Sequence, residues 1–322
     1  MGDILFTLFL VLFITFLSFK YTNLINISFS NTIHTFTYIL VPSLFMMLII
    51  SKLLKYNPFI NKLINYISPI FTKIFGFENK NEVYILVFSF LSGNPASHIL
   101  INDLYKNGSI TKNEANRLSK ELCFCSFLYL YNTSIVSFKD DLLIILFLNY
   151  IIPIIRLINP KKTDGYNSYV SYEEENLSDI INNSFNTLIK IFSYVLFFDI
   201  VTSCLVSFFR INDSIAYILS SFLDTTVCSR FFCSFNPYLD LFIFCFFNSF
   251  LGISIHLQII NATNYLDYKK FLLYRIILGI ISGILAIILK YNIIIGLIAL
   301  AIIGTLIIVK KRTANAILNF WI

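Results

Sequence analysis

Leu91-Ser92-Gly93-Asn94-Pro95-Ala96-Ser97-His98 interrupts an apolar run that starts at Val83 and resumes over Ile99 to Ile101. Glycine admits backbone angles that other residues resist. Proline lacks an N–H and disfavours helix at the residue before it, so one unbroken helix is excluded here. Within a bilayer, backbone groups freed by such a break must be satisfied by protein or by a wet cavity. The stretch predicts either a plain loop between short helices or an interrupted membrane hairpin at a polar site.

A second stretch, Phe250-Leu251-Gly252-Ile253-Ser254-Ile255-His256-Leu257-Gln258, repeats the order Phe-Leu, glycine, small polar residue, histidine. The two glycines are 159 residues apart, and the same shift lays Ile33–Leu54 on Phe192–Asp213 and Pro58–Phe75 on Tyr217–Ser234. Interrupted apolar segments in matching positions of two halves predict an internal duplication with a binding site near the membrane midplane. An odd number of crossings per half makes the halves inverted, each with a broken helix hairpin. Positions near Lys106 and Asp267 then fall on opposite sides of the membrane.

The whole chain agrees with a membrane setting. Its 322 residues are 57% hydrophobic and 13% charged, with a mean hydropathy of +0.77. That composition excludes an ordinary soluble domain and predicts an all-α polytopic protein with 8–10 membrane segments in the lipid bilayer. The net charge of +6 is spread over short loops. It reads as the charge bias that orients membrane helices, and not as a nucleic-acid surface. The cysteines lie in apolar runs without Cys-x-x-Cys spacing, so neither a metal site nor a disulfide framework is expected.

Along the chain, residues 1–30 carry a first, uncleaved transmembrane helix at Ile4–Phe19, and residues 31–158 form the first repeat. In it, Ile33–Leu54 spans with Pro42 inside, Pro58–Phe75 lies at the interface, and Thr111 with Glu114 forms a capping box. Glu121–Phe138 and Asp141–Ile158 each read as a span. Residues 159–176 are a polar linker, and residues 177–322 form the second repeat with spans near Ile189–Phe209, Tyr238–Ile260, Phe271–Leu289 and Asn292–Val309. Asp199, set in Phe197-Phe198-Asp199-Ile200, must face the bundle interior and find a partner, or serve as a coupling site for a proton or sodium ion.

Pro42-Ser43-Leu44-Phe45, Leu91-Ser92-Gly93-Asn94-Pro95, Asp103 to Gly108, Glu114 to Leu118, Phe124-Cys125 and Gly252 to Gln258 together resemble the YlbJ-type sporulation integral membrane proteins. These belong to the nucleoside-recognition or Gate-domain group. The resemblance covers roughly residues 33 to 290 and makes the two repeats Gate-like. It implies a role in endospore formation, in the mother-cell-derived outer forespore membrane, carrying dipicolinate toward the forespore. The family's Asn-Asn-Ser-Gly-Pro after Phe-Cys is replaced here by Ser126-Phe127-Leu128-Tyr129-Leu130. That replacement favours the alternative of a non-transporting membrane protein needed for spore envelope or cortex assembly.

On the transport reading, the breaks begin half-helices whose N-termini suit a carboxylate. The expected binding residues are Ser92, Gly93, Asn94, Pro95, Ser97, His98, Gly252, Ser254, His256 and Gln258, although the histidines also fit as packing residues. Asp224-Thr225-Thr226 matches the family's acidic-x-Thr element and joins Asp199 as a coupling group, with an N-cap as its plainer reading. The implied partners are a small-molecule anion, the bilayer, and either a second copy or other sporulation membrane proteins. No catalytic constellation, cofactor or metal ligand set is read.

Overall fold

The computed structural model describes residues 11–320 except 13, 14, 18, 78, 159–175 and 233, and within these the side chains of all but 55, 56, 135–137, 229 and 310–320. Most of Ile4–Phe19, nearly all of the 159–176 linker, Cys233 and the side chains of Lys310-Lys311-Arg312 lie outside the described residues. The described elements are helical. Four helices are long and apolar enough to cross a membrane: Thr22–Leu54, Leu177–Phe208, Pro237–Ala262 and Tyr268–Tyr291.

The first of these joins α1 (Thr22–Thr35), a π-helical stretch (Phe36–Phe45) and α2 (Met46–Tyr56). Pro42 sits in the π-helical stretch, where a missing N–H and a bulky ring suit a widened turn better than an α-helical one. Because the helix starts at Thr22, the expected boundary at residue 30 falls inside it. Helix α9 (Leu177–Phe208) runs antiparallel to it. Phe45 faces Phe185, Phe36 faces Phe192, Thr32 meets Asp199, and Ser28 bonds Ser203. Helix α3 (Pro58–Phe75) is amphipathic as expected, burying Ile64, Ser68, Thr72 and Phe75 at helical spacing.

Helices α4 (Lys80–Ser92) and α5 (Ala96–Lys106) form a hairpin around Gly93-Asn94-Pro95. Its two ends meet, since Asn79 Nδ2 and Asn81 Nδ2 both donate to Ser109 O at 3.2 and 3.4 Å. This end of the molecule, called proximal, also holds Asn264 and Asp267, whose backbone N–H groups donate to Asn102 and Asn116. The chain then enters α6 (Lys112–Glu121), started by the predicted Thr111–Glu114 capping box. It continues through α7 (Phe127–Ser137) to the opposite, distal end and returns in α8 (Leu142–Leu157).

The expected continuous span over Glu121–Phe138 is corrected here: Leu122 to Ser126 is non-helical, and α7 begins afresh with the Ser126 side chain accepting from Tyr129 N. A second hairpin enters from the distal end. Helix α10 (Asp213–Leu223) runs inward, the chain turns at Asp224-Thr225-Thr226, and a short 3-10 helix (Cys228–Phe231) leads back. Arg230 on this return limb reaches Ser28 and Ser203 on the distal portions of α1 and α9.

Helices α11 (Pro237–Phe250) and α12 (Gly252–Ala262) do not form the hairpin expected around Gly252. Tyr238 lies beside Lys290, Phe242 against Gly283, Phe246 against Gly279, and His256 5.5 Å from Phe271, ring to ring. Contacts that march this way along α13 (Tyr268–Tyr291) mean that the chain crosses in one direction through the break. Gly279 and Gly283 make the approach close: a Cβ at Gly283 would lie 2.7 Å from the Phe242 ring. Helix α14 (Ile293–Phe320) completes the bundle with exposed Ile294, Ile298 and Leu306.

The 159-residue register therefore pairs unlike elements. Its glycines mark a hairpin turn in one case and an interrupted crossing in the other. Tyr105 and Tyr265 lie at the same end, with ring centroids 5.2 Å apart, so Lys106 and Asp267 are not on opposite sides.

Candidate functional site

The interrupted segments converge at mid-depth. Gly93, at φ +63°, brings the first hairpin turn so close to the α6–α7 break that a Cβ there would lie 2.5 Å from Ser126 N. Asn94 N donates to Phe124 O at 3.1 Å across the same contact. The second hairpin turn rests on the other broken crossing: a Cβ at Gly252, φ +64°, would lie 3.3 Å from Thr225 N. Leu251 just before it has φ +87° and is fully buried. A leucine held there costs of order 1–3 kcal/mol and persists only where its surroundings fix it.

Between these turns lies a cavity of about 30 Å³ lined by Asn94, Pro95, Ser126, Tyr129, Asp224 and Gln258 among others. Close to it are buried polar atoms that make no hydrogen bond of good geometry among the described residues, Asn94 Nδ2, Asp224 Oδ2, Thr225 Oγ1 and Gln258 Oε1, although Cys123, Ser254 and Tyr129 lie near Asn94, Asp224 and Thr225 in turn. Such atoms are costly in an apolar interior, and their clustering marks a place built for water or a polar ligand. The remaining capacity of the same groups is used locally. Asp224 Oδ1 accepts from Thr226 N (2.7 Å) and Thr226 Oγ1 (2.6 Å), Asn94 Oδ1 from Ser97 Oγ (3.1 Å), and Gln258 Nε2 donates to Ser254 Oγ (3.2 Å).

Of the residues expected from the sequence, Asn94, Pro95, Asp224, Thr226 and Gln258 line this cavity. Ser97 and Ser254 support it from behind. Gly93 and Gly252 provide the close backbone contacts, while Ser92 Oγ only donates to Phe88 O of its own helix. The histidines point elsewhere. His98 Nε2 is 3.1 Å from Ser119 O and His256 Nε2 is 2.8 Å from Phe250 O. A carbonyl only accepts, so each ring donates there, and both flank Phe271 as packing residues.

Asp199 lies distal to the cavity. Its carboxylate receives Arg230, Thr32 Oγ1 (2.8 Å) and Ser203 Oγ (3.4 Å). The partner demanded by a carboxylate in an apolar run is thus Arg230, which the sequence reading passed over although a lone arginine between apolar stretches makes the same demand.

Two wider, confluent cavities open from the site toward the proximal end, of about 530 and 310 Å³. The larger shares Pro95, Ile191 and Gln258 with the inner pocket, and Thr187 and Lys190 of α9 line both wide cavities. Asn183, Asn186 and Thr187 precede Ile189, where the hydropathy starts that span, whereas Lys190 and Tyr194 lie inside it as isolated polar positions. The polar positions Asn183, Asn186, Thr187, Lys190 and Tyr194, on one helical face, are the signal that finds them. No protein-family model, curated protein or solved structure matches this chain.

Proposed function

We propose that this chain is an integral membrane transporter for a small carboxylated heterocycle, with its site where the two hairpin turns and the two broken crossings meet. The observation that carries the proposal is the convergence of four interrupted segments on one pocket lined by buried polar groups, with wide cavities opening from it toward the proximal end. Irregular backbone at membrane depth is tolerated where it lines a cavity, and discontinuous helices at a midplane site are how secondary transporters hold substrates.

An inverted duplication underlies this arrangement, in a register different from the 159-residue one. The unit α4–α5, α6–α7, α8 enters as a hairpin from the proximal end. The unit α10 with its return limb, α11–α12, α13 enters from the distal end. Asn94 corresponds to Asp224 at the hairpin turns, 130 residues on, and Phe124 to Leu251 at the crossing breaks, 127 residues on. With Thr22–Leu54, α9 and α14, these elements amount to membrane segments in the range of 8–10 that the hydropathy suggests.

The resemblance to the sporulation membrane proteins supplies the rest: dipicolinate as substrate and the outer forespore membrane as location. The missing Asn-Asn-Ser-Gly-Pro favoured an assembly role, but Leu122–Ser126 is interrupted without it, which supports transport. Purified protein in liposomes should take up dipicolinate, and Gln258→Leu should abolish uptake at equal folded yield. Uptake no greater than in empty liposomes removes the proposal. Normal spore dipicolinate in a deletion strain removes that substrate.

A further inference from the structure

We infer that the 530 Å³ cavity is an anion-selective antechamber in which Lys190 holds a carboxylate of the substrate before it reaches the inner pocket. The inference rests on the transport reading and adds a residue and a chemical requirement to it.

Size separates the two compartments. A cavity of about 30 Å³ holds roughly one water molecule. The antechamber falls within the range of about 300–1,000 Å³ usual for small organic ligands, so in this conformation an organic substrate has room in the antechamber and not in the inner pocket.

Its walls define the ligand. Pro95, Ile99, Ile191 and Ala262 are apolar, and no aspartate or glutamate lines the chamber; its one cationic side chain is Lys190. An ammonium at a recess that no carboxylate lines attracts anions and repels cations, an attraction that salt screens because Lys190 meets solvent. Asn261 Nδ2 donates to Tyr194 Oη, which leaves the phenol's own hydrogen free to be donated into the chamber beside Lys190. Gln258 forms the inner end and belongs to the inner pocket as well. Together these groups suit a small organic anion with an apolar body. In the outer cavity Lys190 recurs beside Lys52 and Asp103, so the lining of the proximal approach carries both signs, with one ammonium in excess.

Lys190 is exposed, and a lysine near a helix's polar portion also serves simply to reach the membrane surface. Binding measurements separate the two roles. Dipicolinate and its uncharged dimethyl ester are titrated calorimetrically into the purified full-length protein, wild type, Lys190→Gln, Lys190→Arg and Gln258→Leu. Lys190→Gln should weaken dipicolinate about tenfold, the order expected for one charge-assisted hydrogen bond, and leave the ester unaffected. Lys190→Arg should restore most of the affinity, and the salt dependence seen in wild type should flatten in Lys190→Gln. Unchanged dipicolinate affinity in Lys190→Gln overturns the inference, and loss in Gln258→Leu in the same series leaves the transport reading standing. Equal weakening of acid and ester overturns it too, as a general effect on the fold. A wild type that binds no carboxylate overturns both.

Discussion

Arg230 and Asp199 form an ion pair, its carboxylate buried and its arginine partly exposed, that ties the return limb of the distal hairpin to α9, with Ser28, Thr32 and Ser203 completing the hydrogen bonds. It lies between the inner pocket and the distal end, on the side away from the wide cavities. Removing the guanidinium leaves the buried Asp199 carboxylate unpaired, at a cost of up to about 3–5 kcal/mol, whereas removing the carboxylate leaves Arg230 able to turn to water. Arg230→Gln should therefore lower the thermal midpoint of the purified protein more than Asp199→Asn, and the double variant should recover part of the Arg230→Gln loss. Additive losses in the double variant would show that the pair does not act as a unit.

The glycines at the two contacts are not equally replaceable. Gly93→Ala places a Cβ 2.5 Å from a backbone nitrogen, whereas Gly252→Ala meets backbone at 3.3 Å; both residues have positive φ. Gly93, at φ +63° and ψ −164°, lies in a region essentially confined to glycine, where another residue costs of order 1–3 kcal/mol before any clash. Uptake should fall in both variants and further in Gly93→Ala, with membrane insertion unchanged. Full uptake in Gly93→Leu and Gly252→Leu would make the breaks ordinary loops.

Topology is open to single-cysteine labelling. Positions at Lys106 and Asp267 should label from one side, and positions at Asn212 and Asn236 from the other. Labelling of Lys106 and Asn236 from a common side would contradict the path of the chain through α11 and α12.

Neither histidine should be required for binding. Because each ring donates from Nε2 to a backbone carbonyl, His98→Gln and His256→Gln should keep dipicolinate affinity within about threefold, a change worth less than 1 kcal/mol. His98→Leu should lose stability by leaving Ser119 O unpaired, at a cost of about 1–3 kcal/mol. Loss of binding in both glutamine variants, at normal stability, would return the histidines to the site.

At the α11–α13 contact, Gly283→Leu overlaps the Phe242 ring. Overpacking of this kind costs about 1–3 kcal/mol or more, and the thermal midpoint should fall accordingly. Gly108→Ala, where nothing lies within 4 Å, bears only the strain of its φ of +70°. A Gly283→Leu protein as stable as Gly108→Ala would show that the two helices are not in such close contact.

Much of the fold was legible because it depends on composition and local chemistry. Helix class, the amphipathic α3, the Thr111–Glu114 cap and the break at Gly93-Asn94-Pro95 all follow from hydropathy, caps and turn residues. The register of the proposed duplication was not legible, because the breaks are made by different means. One uses glycine and proline, and another uses Ser126 as a helix cap. A third uses the Asp224 side chain folded onto Thr226, and the last uses a left-handed Leu251 before Gly252. A search for repeated glycines matches the wrong pair. Half of the expected binding residues line the inner pocket or its supports, since polar groups near a break tend to face the cavity that satisfies it. Lys190 and Arg230 were not found, because their roles depend on helices distant in sequence.

The glycine of the proximal unit sits on its hairpin, whereas that of the distal unit sits on its crossing helix, and the first contact is tighter than the second. If the chain is the carrier proposed above, two contacts this unequal give its half-cycles unequal barriers: the final gradient would still be fixed by thermodynamics alone, while inward and outward turnover would run at different speeds under matched conditions.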